Sequence, residues 1–266
     1  MTFFGSATAA IGLVILARDS AFAQSGARQH TIAIGEIAPM REIAAKGLDR
    51  FGWNVCYEEP PWESSQDVAP RPGAKGNSLM VRGKPFVVRI EEPADLSDLK
   101  ARGAVFKSIV DQHRRAGNPP FFMSRQDAGC SHIVAPAYVR SDGKIQAFEP
   151  VLDTRISIPP GKRKVGETVK LVLAEISRIR TMNIVEGTIP MNAFYSSIDS
   201  DIFSEAKQER ARDVLLRVFE EQNLVRIQET GFQIRYGWSL NYSASNRTYY
   251  FNCRVVPPAP ARGAGR

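Results

Sequence analysis

The chain is poor in the residues on which most catalytic and metal sites are built. It holds three cysteines and three histidines in 266 residues. It has no C-x-x-C pair, no G-x-S-x-G turn and no glycine-rich phosphate loop. Three cysteines form at most one internal disulfide, which excludes a small disulfide-stapled scaffold and leaves open which two of Cys56, Cys130 and Cys253 pair, if any. A metal site wants three or four converging ligands. The nearest approach is Asp127, Cys130 and His132, of which Cys130 and His132 share one face of a strand. This reads as a hairpin with an incidental Cys and His, so no metal and no cofactor is expected. Ser131 and His132 are adjacent, and on a strand they point to opposite faces, so they do not form a nucleophile–base pair. His113 falls on an apolar helix face and reads as a packed histidine.

Dense charge of one sign is also missing. The net charge is +7, but it is spread out, and the one tight basic cluster is Lys162, Arg163 and Lys164. Nucleic-acid binders carry denser basic stripes interleaved with aromatics, so no nucleic acid is expected as a partner. One long apolar run exists, residues 3–17. It is short for a membrane span and is followed by Ala21-Phe22-Ala23, a small-x-small pattern. Residues 1–23 are therefore expected to be a cleaved export signal, although no Lys or Arg precedes the run. The expected location is periplasmic or secreted, with no integral membrane span after cleavage.

What the sequence does have is periodicity, and it occurs twice. Residues 31–34 read as a strand. Met40, Ile43, Ala44, Gly47, Leu48 and Phe51 form one apolar helical face. Gly52 suits a left-handed helix end, and residues 53–58 alternate as a strand until the double proline at 60–61 stops it. A strand at 86–90, a helix carrying Leu99, Phe106, Ile109, Val110 and His113, and a meander over 121–148 with a turn at Asp142-Gly143 complete the first half. The second half repeats the order. A strand at 155–158 and a basic, glycine-containing segment at 162–166 precede a helix with Val169, Val172, Leu173 and Ile176 inward. A strand follows at 182–186, with a weaker candidate at 198–203. A helix bearing Ala211, Val214, Leu215, Val218, Phe219 and Gln222 leads to strands at 232–242 and 248–256. Cys253 is expected to face the core with Tyr249, Phe251 and Val255.

The expectation is an α+β fold of two related β-α-β-β-α-meander halves, with mixed sheets carrying helices on one face. The halves are residues 24–153, with an irregular loop at 64–84, and 154–256. Residues 257–266 are expected to be a disordered tail.

Residues 31–59 include Pro39-Met40-Arg41-Glu42-Ile43 and Gly52-Trp53-Asn54-Val55-Cys56-Tyr57. Over this stretch the chain resembles the short domain found at the N-termini of secretins and TonB-dependent receptors. The resemblance implies a strand, a helix, a turn-and-strand and further strands, in an exported module that contacts other proteins in the cell envelope. The chain departs from that family by lacking a barrel or pore region.

The most chemically dense stretch is GWNVCYEEPPWE, residues 52–63. Adjacent Glu58 and Glu59 diverge on a strand and do not form a glycosidase pair. Tyr57, Glu58, Glu59, Trp62 and Glu63, together with Lys162, Arg163 and Lys164, are the candidate contact residues for a ligand or partner. The expected function is that of an exported, non-enzymatic protein binding a protein or envelope polymer. Two alternatives stay open: an envelope hydrolase with a site between the halves using Glu58, Glu59 or His132, and a sugar or small-ligand binder using Trp53, Tyr57 and Trp62.

Overall fold

The computed structural model describes residues 28–47, 51–74, 78–93, 95, 98–127, 130–188, 200–231, 233 and 235–256. The expected signal, residues 1–23, and the expected tail, residues 257–266, lie outside them.

Strand β1 (Gln29–Ile34) leads to a short helix α1 (Pro39–Glu42) with proline in its first turn, where no N–H is needed. The helix widens into a π-turn over Ile43–Gly47. It is thus looser than the single α-helix expected, although Met40, Ile43, Ala44 and Phe51 are all buried; Leu48 of the expected face lies outside the described residues. Gly52 takes the left-handed conformation expected of it (φ 62°), and β2 (Val55–Glu58) follows. The stretch expected to be an irregular loop instead carries a hairpin, β3 (Val68–Pro70) with β4 (Leu79–Val81). Next come β5 (Phe86–Glu91) and α2 (Leu99–Arg115). The Asp98 carboxylate caps α2 by accepting from the N–H groups of Lys100 and Ala101. Strands β6 (Met123–Asp127) and β7 (Cys130–Val134) and a hairpin of β8 (Ala137–Val139) with β9 (Ile145–Ala147) close this group.

A 3-10 turn at Val151–Asp153 leads into β10 (Arg155–Lys164), α3 (Val165–Arg180) and β11 (Asn183–Glu186). Then follow β12 (Asp201–Arg210), α4 (Ala211–Thr230), β13 (Arg235–Ser243) and β14 (Thr248–Val256). The basic triplet at 162–164 ends β10 and does not form a loop before the helix, because β10 continues past Pro159-Pro160 through two register shifts opposite β12.

The central sheet has six strands in the order β11-β14-β13-β2-β7-β6. In the first group β1 pairs antiparallel with β5, β2 parallel with β7, and β6 antiparallel with β7. In the second group β10 pairs antiparallel with β12, β11 parallel with β14, and β13 antiparallel with β14. These three pairings have the same types in the same order in both groups, while the first group adds the β3–β4 and β8–β9 hairpins, which have no counterpart among the described residues of the second. One parallel pairing, β13 with β2, fuses the two three-stranded sets into a single sheet. At that joint the backbones come close: a Cβ on Gly237 would lie 2.9 Å from the Val55 carbonyl oxygen, which only glycine tolerates without rearrangement.

Strand β2 is buried on both faces. Val55 and Tyr57 enter a core with Met40, Phe106 and Ile109 from α1 and α2. Cys56 enters a second core with Val172, Val214 and Trp238 from the other group. Within each group the helices lie on one face of the strands, and the two groups use opposite faces of the shared sheet.

Candidate functional site

Where β2 ends, Glu58 and Glu59 turn to opposite sides, as consecutive strand residues do. Glu58 faces α4. Its Oε2 accepts from Arg212 Nη2 at 2.8 Å and its Oε1 from the Leu152 N–H at 3.0 Å. Arg212 also donates through Nε to Asp153 Oδ1 at 3.0 Å, and its Nη1 lies 2.9 Å from His132 Nδ1. The second Asp153 oxygen is ion-paired with Arg125. A guanidinium has donors only, so Nδ1 of His132 is the acceptor and the ring proton sits on Nε2.

Burial, then the charges of Arg212, Arg125 and Arg210, hold His132 well below the usual histidine range, so the ring is neutral. The cluster therefore balances two guanidinium groups against two carboxylates in a site where Arg212 and Glu58 are each 1% exposed. Burial outweighs Arg212 at Glu58 and raises its pKa. At Asp153 burial acts in the same upward direction, but Arg212 and Arg125 win and lower it. Arg212 keeps its charge because Glu58 and Asp153 outweigh the cost of its burial.

Glu59 faces the other way and accepts four hydrogen bonds where Glu58 accepts two. It takes a two-pronged ion pair from Arg41 (2.9 and 2.6 Å), the Tyr57 hydroxyl at 3.2 Å and the Tyr242 N–H at 2.8 Å. Its own N–H donates to the Leu240 carbonyl at 3.0 Å, extending the β13–β2 joint. Burial first, then the Glu59 charge, pushes the Tyr57 phenol well above its ordinary value.

These positions correct the expected contact segment. Tyr57, Glu58, Glu59 and Trp62 are buried, because each completes a core or an ion pair, and only Glu63 of that stretch is exposed. Trp62 packs on Phe121 and Phe122, and Trp53 stacks on Phe51. The basic triplet lies on a different sheet. Lys162 and Lys164 both reach Asp201, at 3.9 and 3.6 Å, while Arg163 turns back onto the carbonyl oxygens of Pro159 and Ser204.

Cys56 pairs with Cys130 in a disulfide linking β2 to β7. With His132 these sulfurs form a group whose donor atoms lie within 4.8 Å of one another. The two sulfurs are bonded to each other and so are not free to ligate. Cys253 is a buried free thiol, and burial pushes its pKa far up.

Glu59 is sealed from solvent, and open space lies on the far side of its partner Arg41. A cleft of about 540 Å³ is lined by Ile37, Arg41, Arg71, Tyr242 and Asn246 among others. The Arg41 side chain at its wall is 35% exposed. A second cleft of about 610 Å³ holds Asp67, Arg82, Lys84 and Asn118. No family model, characterised protein or solved structure matches the chain.

Sequence reasoning missed Arg41, Asp153 and Arg212. For Arg212 a signal existed: it stands three and seven residues before Leu215 and Phe219, inside the apolar stripe of α4, where a charge has to find a partner.

Proposed function

We propose that the chain is an exported, non-enzymatic protein that binds a protein or an envelope polymer, with the cleft beside Arg41 as its contact surface. One observation carries this reading. Among the groups an enzyme would use as acid or base, Glu58 and Glu59 are consumed in buried ion pairs with Arg212 and Arg41, and His132 in a buried hydrogen bond from Arg212. A carboxylate held in a buried ion pair, out of contact with solvent, is poorly placed to trade a proton with a substrate.

Export is supported by the Cys56–Cys130 disulfide, a bond that persists in oxidising compartments, together with the signal-like residues 1–23. Among the described residues no helix is long and apolar enough to cross a membrane. Membership of residues 31–59 in a module of the secretin and TonB-receptor kind is proposed with it. Strand, helix, left-handed turn and strand follow one another there in the order that likeness implies.

Photo-crosslinking groups placed at Arg71 and Asn246 test the reading in the extracytoplasmic fraction. A specific adduct is expected from these positions and none from a control at Lys162. Silence at both cleft positions, combined with turnover of an envelope substrate by the purified chain, would overturn it.

A further inference from the structure

The central sheet ends in two open edges: among the described residues no strand pairs with the outer side of β6 or of β11. An edge of this kind presents a row of backbone donors and acceptors to any strand that fits. Neither edge is guarded by proline or lysine, since β6 reads MSRQD and β11 reads NIVE. Met123, at the start of β6, is 42% exposed.

The chain itself contains a solved version of this docking problem. Strand β13 is the outer strand of its three-stranded set and β2 is the outer strand of the other, and these two pair in parallel. By the shared order of pairings, β6 occupies in its set the place of β13, and β11 the place of β2. The edges left open among the described residues are thus the same two kinds of edge that already meet inside the sheet.

We propose that a second copy of this chain docks there, β6 of one copy pairing in parallel with β11 of the next and repeating the internal joint between molecules. The register transfers residue by residue. Gly52 and Thr181 are the left-handed residues shortly before β2 and β11; aligned on them, Tyr57 is the counterpart of Glu186. Tyr57 pairs with Ile133 and Glu186 with Phe251. Those in turn pair with Ser124 and Leu240, so Met123 is the counterpart of Ser239; the counterpart of Gly237 is Phe121, which lies ahead of β6, so the pairing carried over begins at Met123. The internal pair Ser239–Tyr57 becomes Met123 of one copy opposite Glu186 of the next.

The internal joint reverses both strand direction and the helix-bearing face. Applied twice, it restores both, so successive copies face the same way. The contact is head-to-tail and leaves one β6 and one β11 open at each step, which builds an open series and not a closed dimer. Sheet twist of about 20–25° per strand winds that series into a helix.

The test uses the full chain with its native disulfide. Sedimentation across a concentration series is expected to show mass growing beyond a dimer. Met123→Cys and Glu186→Cys variants, mixed in equal amounts under mild oxidation, are expected to give a one-to-one covalent dimer that neither variant forms alone. The double variant is expected to give a ladder. A monomer at every concentration overturns the proposal, as does a dimer that Met123→Cys links to itself or an assembly in which the mixed pair does not react. Circular dichroism of each variant separates these outcomes from loss of fold.

Discussion

Arg212 shows what a single side chain does in this protein. Its guanidinium meets Glu58 from β2, Asp153 from the turn between the two groups and His132 from β7. Truncating one member of a buried ion cluster leaves the others charged and unpaired, which costs about 3–5 kcal/mol. Arg212→Met is therefore expected to lower the urea midpoint sharply, whereas Lys107→Met, in an exposed pair with Asp111, shifts it by less than about 1 kcal/mol. Equal effects would mean that the cluster is not a keystone. His113 acts at the same scale by a different route. Packed edge-on against Phe86 and Phe122, it is pushed by burial, then by Arg114, down to about 4. The unfolded chain binds this proton at about 6.5. Its contribution is thus complete above pH ~6.5 and drains as the pH falls towards about 4, with a full value of about 3 kcal/mol. His132 shifts in the same direction and adds to the slope, while Glu58, raised by burial, opposes it. Urea melts at pH about 7.5 and about 5 are expected to differ, and His113→Leu to reduce that difference. An undiminished difference in the variant would assign the slope elsewhere.

At the scale of elements, alternation and helical stripes made much of the fold readable, and the failures have physical causes. The strand at 248–256 was legible to the residue because Tyr249, Phe251 and Cys253 alternate with polar neighbours, and they are buried as that pattern requires. Strand β12 was nearly invisible: half of DIFSEAKQER is charged, and only Ile202, Ser204 and Ala206 are buried. The sequence pattern ends the strand of β10 at Ile158, yet in a two-stranded ribbon a proline at a register shift gives up no ladder bond. The candidate site was legible in its residues and not in its contacts. Periodicity placed Glu58 and Glu59 on opposite faces, but no pattern showed that Arg212 and Arg41 wait there: Arg212 lies 154 residues away, and Arg41, 18 residues upstream on the preceding helix, is brought back by the chain turn. The disulfide belongs to this scale as well. It ties β2 to β7 across 74 residues, and the chain-entropy account gives a closure of that length about 4 kcal/mol. Reduction is expected to lower stability by that order, with Cys253 unreactive to maleimide until the chain unfolds. A reduced protein as stable as the oxidised one would remove the disulfide from the stability argument.

For the molecule as a whole, the joint between β13 and β2 decides whether there are two domains or one. Glu58, Cys56 and Cys130 belong to the first group by sequence but are buried among residues of the second. Separating the groups would leave that surface and Glu58 without cover, so the two halves are expected to unfold in one calorimetric transition. Two resolved transitions would show that each half stands alone. The same architecture fixes how the protein responds to force. Tension on the two chain ends loads the β13–β2 joint, while the Cys56–Cys130 bond shunts load past everything between its two cysteines. About 250 Å of contour length, the extended span of those 74 residues, stays hidden from the pull until the bond is reduced, making oxidation state the regulator of how far this molecule can stretch.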